Sequence, residues 1–222
     1  MSRRKLVHFA EMDQMPHVFQ HPENMPGQWS AYFGNDLPLV LEVGCGTGRY
    51  TVGLAELYPQ SNYIGTDIKG ARMWHGATYV RDKGIKNAAF LRTRIEQIET
   101  YFAPGEVSEI WITFPDPQPR ESRERKRLPS KRFLDLYTKI LKPGGKLYLK
   151  TDNSDLFAFA TEVWQVYTGL EIVQHSTDLY ASNIQGAATA IQTVYEERYR
   201  AQGIPINYME AVFHGHPAAP EL

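Results

Sequence analysis

From about residue 37 to residue 167 the chain alternates between two kinds of segment, and this alternation restricts its fold more than any other feature. Short runs of apolar and β-branched residues, typical of buried strands, are each followed by a stretch of helical character. The predicted strands are 39–43, 63–67, 89–93, 109–114 and 146–151, and the predicted helices are 49–57, 71–83, 95–102, 130–141 and 154–167. This order predicts an α/β fold with a mostly parallel sheet wound on both faces, that is, doubly wound.

The two ends of the chain depart from this pattern. Residues 1–36 have a basic start and three prolines without clean periodicity, which predicts an N-terminal basic arm or cap, not a core element, before one domain over 37–222. Near the other end, 171–175 and 190–200 are strand-like runs with no obvious helix between them. They predict a C-terminal antiparallel hairpin, and with the five strands above they give a seven-stranded sheet.

The composition excludes several classes of protein. The chain has 222 residues, 42% of them apolar, and a formal net charge of -1, which is enough for one sizeable core. It contains no apolar run of the roughly 18 residues that span a bilayer and no signal-peptide pattern, so we expect a cytoplasmic protein that does not enter a membrane. Cys45 is the single cysteine, which rules out an internal disulfide and a cysteine-based zinc cluster, and the histidines lack metal-ligand spacing, so no metal is expected.

The first strand runs into a glycine-rich turn, Gly44-Cys45-Gly46-Thr47-Gly48, that opens a helix. A dinucleotide fingerprint needs glycine at the place of Arg49, so the pattern argues against NAD. The next strand ends in Asp67, whose carboxylate can accept hydrogen bonds from two ribose hydroxyls, although an aspartate there can also be a helix N-cap. With Glu42 inside the first strand, these residues resemble the S-adenosylmethionine site of class I methyltransferases.

A carboxylate and a polycation stand together after the strand 109–114. Pro115 and Pro117 forbid continuation of the strand, so Asp116 is expected at its carboxyl end, where α/β sheets bind ligands. The following residues from Arg120 to Arg132 include seven Lys or Arg and two Glu. A solvated helix start can have such a composition, but its position beside Asp116 indicates a polyanion next to an active site.

This part of the sequence resembles one family closely. Phe114-Pro115-Asp116-Pro117 followed by a basic segment is the hallmark of the bacterial tRNA (guanine-N7-)-methyltransferases, and the resemblance extends from about Leu39 to Tyr199. It implies a class I, Rossmann-like methyltransferase domain over 37–222. It also implies tRNA as the partner and methyl transfer from S-adenosylmethionine to N7 of a variable-loop guanine, giving N7-methylguanosine.

The resemblance also implies roles for individual residues. It places Glu42, Gly44, Gly46, Asp67, Arg94 and Asp116 at the cofactor, and Arg120, Asp152, Thr193, Tyr195 and Glu196 at the substrate. Asp116 is hypothesised to be catalytic: guanine N7 already has a free lone pair and needs no base, but the product base is cationic. A carboxylate would stabilise the developing positive charge or accept a hydrogen bond from the guanine N–H edge. The acids Asp116, Asp152 and Glu196 are expected to converge around one guanine.

Some positions differ from the family pattern. Arg94 replaces the usual Asn or Asp, so adenine recognition is expected to rest on backbone groups or a stacked guanidinium, and Arg120 replaces a Lys. Two alternatives stay open: an enzyme of the same fold with another RNA or a small-molecule acceptor, and a non-catalytic RNA-binding subunit. Monomer and homodimer are equally compatible with the sequence.

Overall fold

The computed structural model describes residues 3–216, and the side chains of residues 5–216. The described strands are β1 (Val18–Gln20), β2 (Leu39–Val43), β3 (Asn62–Asp67), β4 (Ala88–Arg92), β5 (Val107–Thr113), β6 (Leu141–Thr151), β7 (Leu170–Ser176) and β8 (Asn207–Phe213). The described α-helices are α1 (Arg3–Met12), α2 (Trp29–Phe33), α3 (Arg49–Leu57), α4 (Gly70–Lys83), α5 (Lys131–Ile140), α6 (Ser154–Gln165), α7 (Ala187–Ala190) and α8 (Val194–Ala201). Two 3-10 helices cover Ile95–Thr100 and Glu121–Lys126.

The strands form one sheet in the order β1-β4-β3-β2-β5-β6-β8-β7. Strands β1 to β6 are parallel to one another, and β8 is antiparallel to both β6 and β7. The order reverses at β2, from which β3 and β5 extend in opposite directions. Ligands of open α/β sheets bind at the carboxyl ends of the strands near such a reversal.

The sheet separates two apolar clusters, which confirms the doubly wound architecture. Leu39, Leu41 and Val43 of β2 pack with α5 and α6 on one face, whereas Val40 packs with α3 and α4 on the other. The whole strand is buried because both faces are covered by helices, as in most parallel sheets. Each fully buried large apolar side chain contributes about 1.5–3 kcal/mol to the folded state.

The N-terminal residues contribute more than the sequence indicated. Strand β1 pairs with β4, so the sheet has eight strands rather than the predicted seven. Trp29 is 1% exposed and lies in the core, where its Nε1–H donates to the carbonyl of Tyr101 at 2.8 Å. The expectation that residues 1–36 add no core element is therefore wrong. The side chains of Arg3 and Arg4, on which the predicted basic arm rested, lie outside the described part.

The C-terminal antiparallel pair exists, but its second strand was assigned to the wrong residues. Strand β7 matches the first prediction, whereas its partner is Asn207–Phe213 and not 190–200. Residues 190–200 are mostly helical, because Thr193 and Glu196 form a capping box that starts α8. Within the residues described, no helix is long and apolar enough to cross a membrane.

Candidate active site

Four parallel strands end at one edge of the sheet and bring most of the predicted site residues to it. The glycine turn follows β2, Asp67 is the last residue of β3, Asp116 follows β5, and Asp152 follows β6. Strand β5 pairs in register with both β2 and β6. Residues far apart in sequence therefore share one edge.

The glycine turn folds back onto β3 through backbone hydrogen bonds. The amides of Gly44 and Cys45 donate to the carbonyl of Thr66 at 2.8 and 2.9 Å. Gly48 has φ +74°, and a Cβ there would overlap the ring of Phe90. Both the left-handed backbone and the close packing require glycine at this position.

Glu42 is buried beneath this turn, with 2% of its surface exposed. Its Oε2 accepts hydrogen bonds from the amide and the hydroxyl of Thr51, and its Oε1 accepts one from the hydroxyl of Thr113 at 2.6 Å. Burial raises the pKa of the carboxyl to about 7 despite these donors, with a smaller contribution from Asp67. A cation brought near Glu42 would therefore stabilise its ionised form.

Asp67 links the turn to the start of α4. Its Oδ2 accepts from the amide of Gly46 at 2.9 Å, and its Oδ1 accepts from the amide of Lys69 at 2.7 Å. Lys69 is the N-cap residue of α4, so Asp67 lies before the cap instead of occupying it. The carboxylate is half-buried, and each oxygen has a second lone pair for a ligand hydroxyl.

The loop after β5 has an unusual backbone. Phe114 and Gln118 have φ +47°, in the left-handed region that non-glycine residues rarely adopt. Each such residue costs about 1–3 kcal/mol, and strain of this kind concentrates at functional sites. The amide of Phe114 donates to the carbonyl of Lys150 at 2.8 Å, and that of Gln118 donates to Oδ1 of Asp116 at 3.1 Å. These two hydrogen bonds fix the backbone of the loop, while the Asp116 side chain stays exposed to solvent.

The basic segment contains both anchoring and exposed cations. Arg127 lies with its guanidinium 4.5 Å from the ring centroid of Phe159, and its Nε donates to the carbonyl of Gln118 at 3.3 Å. Arg120 is exposed at the start of the 3-10 helix Glu121–Lys126, in which no residue is buried. Arg127 therefore fixes the segment, while the cations before it face solvent.

A buried ion pair joins this edge to the C-terminal helices. Lys150 and Glu196 both have 0% side-chain exposure, and Lys150 Nζ lies 2.9 Å from Glu196 Oε1. The same ammonium donates to the carbonyls of Ala188 and Ile191 at 2.6 and 3.1 Å, and Tyr180 donates its hydroxyl to Glu196 at 2.8 Å. Sequence reasoning missed Lys150. The available signal was a lysine inside an apolar strand. Because helices cover both faces of the predicted sheet, a charged group in such a strand needs a partner.

Helix α8 contacts both the residue that follows the glycine turn and the loop that contains Asp116. Arg49, which follows the turn, forms an ion pair with Glu197. The ring of Tyr199 stacks on that of Phe114, with the two centroids 6.5 Å apart. Thr193 forms the reciprocal capping box with Glu196. The start of α8 is therefore positioned by the same loops that form the sheet edge.

The remaining predicted site residues differ in how far their side chains are exposed to solvent. Asp152 is half-buried, and burial raises its pKa, while Tyr195 is 45% exposed. Arg94 is exposed after β4. Of the three acids expected around one guanine, Asp116 and Asp152 share the open edge, but Glu196 is fully buried in its ion pair. A contact between Glu196 and a base would require this pair to open.

Comparisons with known proteins agree with this geometry. A family model described as "Putative methyltransferase" matches residues 36–209. The tRNA (guanine-N(7)-)-methyltransferase of Cytophaga hutchinsonii is 45% identical over 218 residues, which covers 96% of this chain and 99% of that protein. The chain belongs to the tRNA (guanine-N(7)-)-methyltransferase family. This confirms the resemblance seen in the Phe-Pro-Asp-Pro hallmark.

Other relatives and solved structures extend the comparison. The family member from Bacteroides thetaiotaomicron is also 45% identical, covering 95% of this chain and 86% of that protein. The crystal structure of the 16S rRNA methyltransferase KamB has a TM-score of 0.66 at 16% identity, covering 89% of this chain and 99% of that one. A 16S rRNA (adenine(1408)-N(1))-methyltransferase with cosubstrate SAM from Catenulisporales acidiphilia has a TM-score of 0.61 at 14% identity, covering 86% and 92%. These structures share the fold.

Proposed function

We propose that this protein transfers a methyl group from S-adenosylmethionine to N7 of a guanine in the variable loop of tRNA. The observation that carries the proposal is the position of Asp116: an exposed carboxylate in a strained loop, at the same sheet edge as the glycine turn and directly before an exposed basic segment. The family relationship supports the same donor and acceptor.

The residues at the edge fit the proposed cofactor. The open space beside Gly46, where an added Cβ would meet nothing within 4 Å, lets a ligand approach the backbone. Asp67 would accept hydrogen bonds from the ribose hydroxyls. Glu42, buried beneath the turn, would attract the ammonium of the methionine end through water, and that positive charge would lower its raised pKa. Arg94, exposed after the neighbouring strand, would lie at the adenine, with Gly44 completing the turn.

The chemical step requires little proton transfer by the protein. When bound, the cofactor would supply a methyl carbon on a cationic sulfur. In-line attack by the N7 lone pair would form the N–C bond as the S–C bond breaks, so a neutral thioether would leave and the positive charge would move to the base. Asp116 would stabilise that charge or accept a hydrogen bond from the guanine N–H edge. Its carboxylate would transfer no proton in either role.

The substrate residues would act at different distances from the base. Asp152 shares the edge with Asp116 and would contact the guanine, while Arg120 would contact phosphate. Thr193 and Glu196 would position the start of α8, on which Tyr195 stays accessible. These different roles follow from how exposed each side chain is.

The choice of N7 can be tested with an altered RNA. A tRNA transcript made with 7-deazaguanosine lacks the N7 atom but keeps the Watson–Crick edge of every guanine. We expect methyl transfer to the ordinary transcript and none to the 7-deaza transcript, which should still compete as an inhibitor. Equal methylation of both transcripts would exclude N7 as the acceptor.

The basic segment predicts salt-dependent binding of tRNA. Arg123→Ala combined with Arg125→Ala should reduce the slope of log Kd against log salt by about 0.7–0.9 for each phosphate that the segment no longer neutralises. Lys86→Ala with Lys142→Ala is the matched control, because both lysines are exposed at the opposite, amino-terminal edge of the sheet. Filter binding at several salt concentrations measures the slopes. Equal slopes for the two double variants would show that the segment does not contact RNA.

A further inference from the structure

A groove of about 500 Å³ lies beside the active-site edge, in the connection between β7 and β8. It is lined by residues of the segment 179–200, among them Tyr180, Gln185, Gly186 and Arg200. Its volume is within the range that holds small ligands. None of the roles assigned above uses this groove.

The groove presents a planar cation. The guanidinium carbon of Arg200 lies 3.5 Å from the ring centroid of Tyr180, so the cation is in contact with the ring. Arg200 is exposed, and within the described residues its guanidinium forms no hydrogen bond or ion pair. An arginine held against an aromatic ring keeps its charge and its donors for a ligand, and a guanidinium plane is a surface on which nucleic-acid bases stack.

The other lining groups suit a base edge. Gln185 is exposed, and its amide offers both donors and an acceptor. Gly186 has φ +96°, and an added Cβ would meet nothing within 4 Å, so the backbone here is open to a ligand. Tyr180 connects the groove to the active-site edge, because its hydroxyl donates to the Glu196 that pairs with Lys150.

We propose that this groove binds a second nucleotide of the tRNA, unstacked and flanking the target guanine. The proposal rests on the proposed function and adds a subsite to it. A base would stack at Arg200 while Gln185 contacts its edge, and the cation would also attract the neighbouring phosphate. A guanine exposed for methylation requires local unstacking, and such a subsite would hold its neighbour away from the stack.

The test compares two arginines on the same helix. Arg200→Ala should raise the KM for tRNA about tenfold, as expected when one base no longer stacks, and leave kcat and the cofactor Kd unchanged. Arg198→Ala is the matched control: it is exposed, removes the same charge from α8 and does not line the groove, so its KM should change less than about twofold. Arg200→Lys keeps the charge without the plane, so it should retain only the attraction to phosphate and its KM should stay close to that of Arg200→Ala.

Two further measurements keep the outcomes distinct. Gln185→Ala removes an exposed side chain with no hydrogen bond among the described residues, so it should raise the KM for tRNA without affecting folding. 2-Aminopurine placed in the tRNA beside the target guanine should change its fluorescence when the wild-type protein binds, and this change should be lost with Arg200→Ala. Full activity of Arg200→Lys, or equal effects of Arg200→Ala and Arg198→Ala, would overturn the groove proposal while wild-type methylation upholds the proposed function. A wild-type protein that leaves tRNA unmethylated would overturn both.

Discussion

Asp116→Asn is expected to lower the single-turnover rate of methyl transfer by about 10²- to 10³-fold, with cofactor and tRNA both saturating. The substitution removes the negative charge but keeps an oxygen that can accept the hydrogen bond from the Gln118 amide. The loop geometry should therefore survive, and the slower rate should come from the loss of the carboxylate that stabilises the positive charge developing on the base in the transition state. Rapid-quench measurement with labelled cofactor gives the rate.

A neighbouring acid provides the control for this experiment. Asp155 is exposed in the first turn of α6, shortly after Asp152, and Asp155→Asn removes the same charge from this side of the molecule. Its rate should stay within about twofold of the wild type, since an exposed charge away from the reacting atoms has little effect. An unchanged rate for Asp116→Asn would end the hypothesis that this carboxylate is catalytic.

Lys150→Met is expected to lower the free energy of unfolding by about 3–5 kcal/mol, because it leaves the Glu196 carboxylate buried without its partner. It also removes the donor to the carbonyls of Ala188 and Ile191, which adds unsatisfied acceptors. The backbone amides of the segment containing α7 and α8 should be the first to lose protection from hydrogen exchange. Urea unfolding followed by circular dichroism measures the change.

A solvent-exposed ion pair offers a matched control for Lys150. The side chains of Lys139 and Glu99 are 57% and 44% exposed and lie 2.7 Å apart, so Lys139→Met should cost only about 0–1 kcal/mol. Glu196→Gln added to Lys150→Met should recover part of the stability, because it removes the uncompensated charge. If Lys150→Met and Lys139→Met were equally stable, the buried pair would not hold the C-terminal helices in place.

The parts of the fold that sequence predicted are those set by local pattern. The apolar run of β2, the glycine turn and the start of α3 occur as expected, since each depends on residues close together in the chain. The parallel pairing of the strands follows from their alternation with helices. Asp67 and Asp116 were placed at strand ends for the same reason.

Two errors arose where distant residues decide the structure, and a third arose from a local capping signal. Strand β1 has three residues, and its pairing with β4 depends on contacts that periodicity does not show. Residues 190–200 alternate like a strand, but the Thr193 and Glu196 capping box outweighs that pattern and starts a helix. The burial of Glu196 likewise depends on Lys150, which is 46 residues away in the chain. Its access to substrate could not be judged from its motif.

The most direct test of the proposed function is to identify the methylated atom and its position in the RNA. The purified protein would be incubated with labelled S-adenosylmethionine and an unmodified tRNA transcript, followed by chemical cleavage at N7-methylguanine and mass spectrometry of the nucleosides. We expect N7-methylguanosine confined to the variable loop. Binding of the cofactor without any methylation of tRNA, or a methyl group on another atom, would contradict the proposed function.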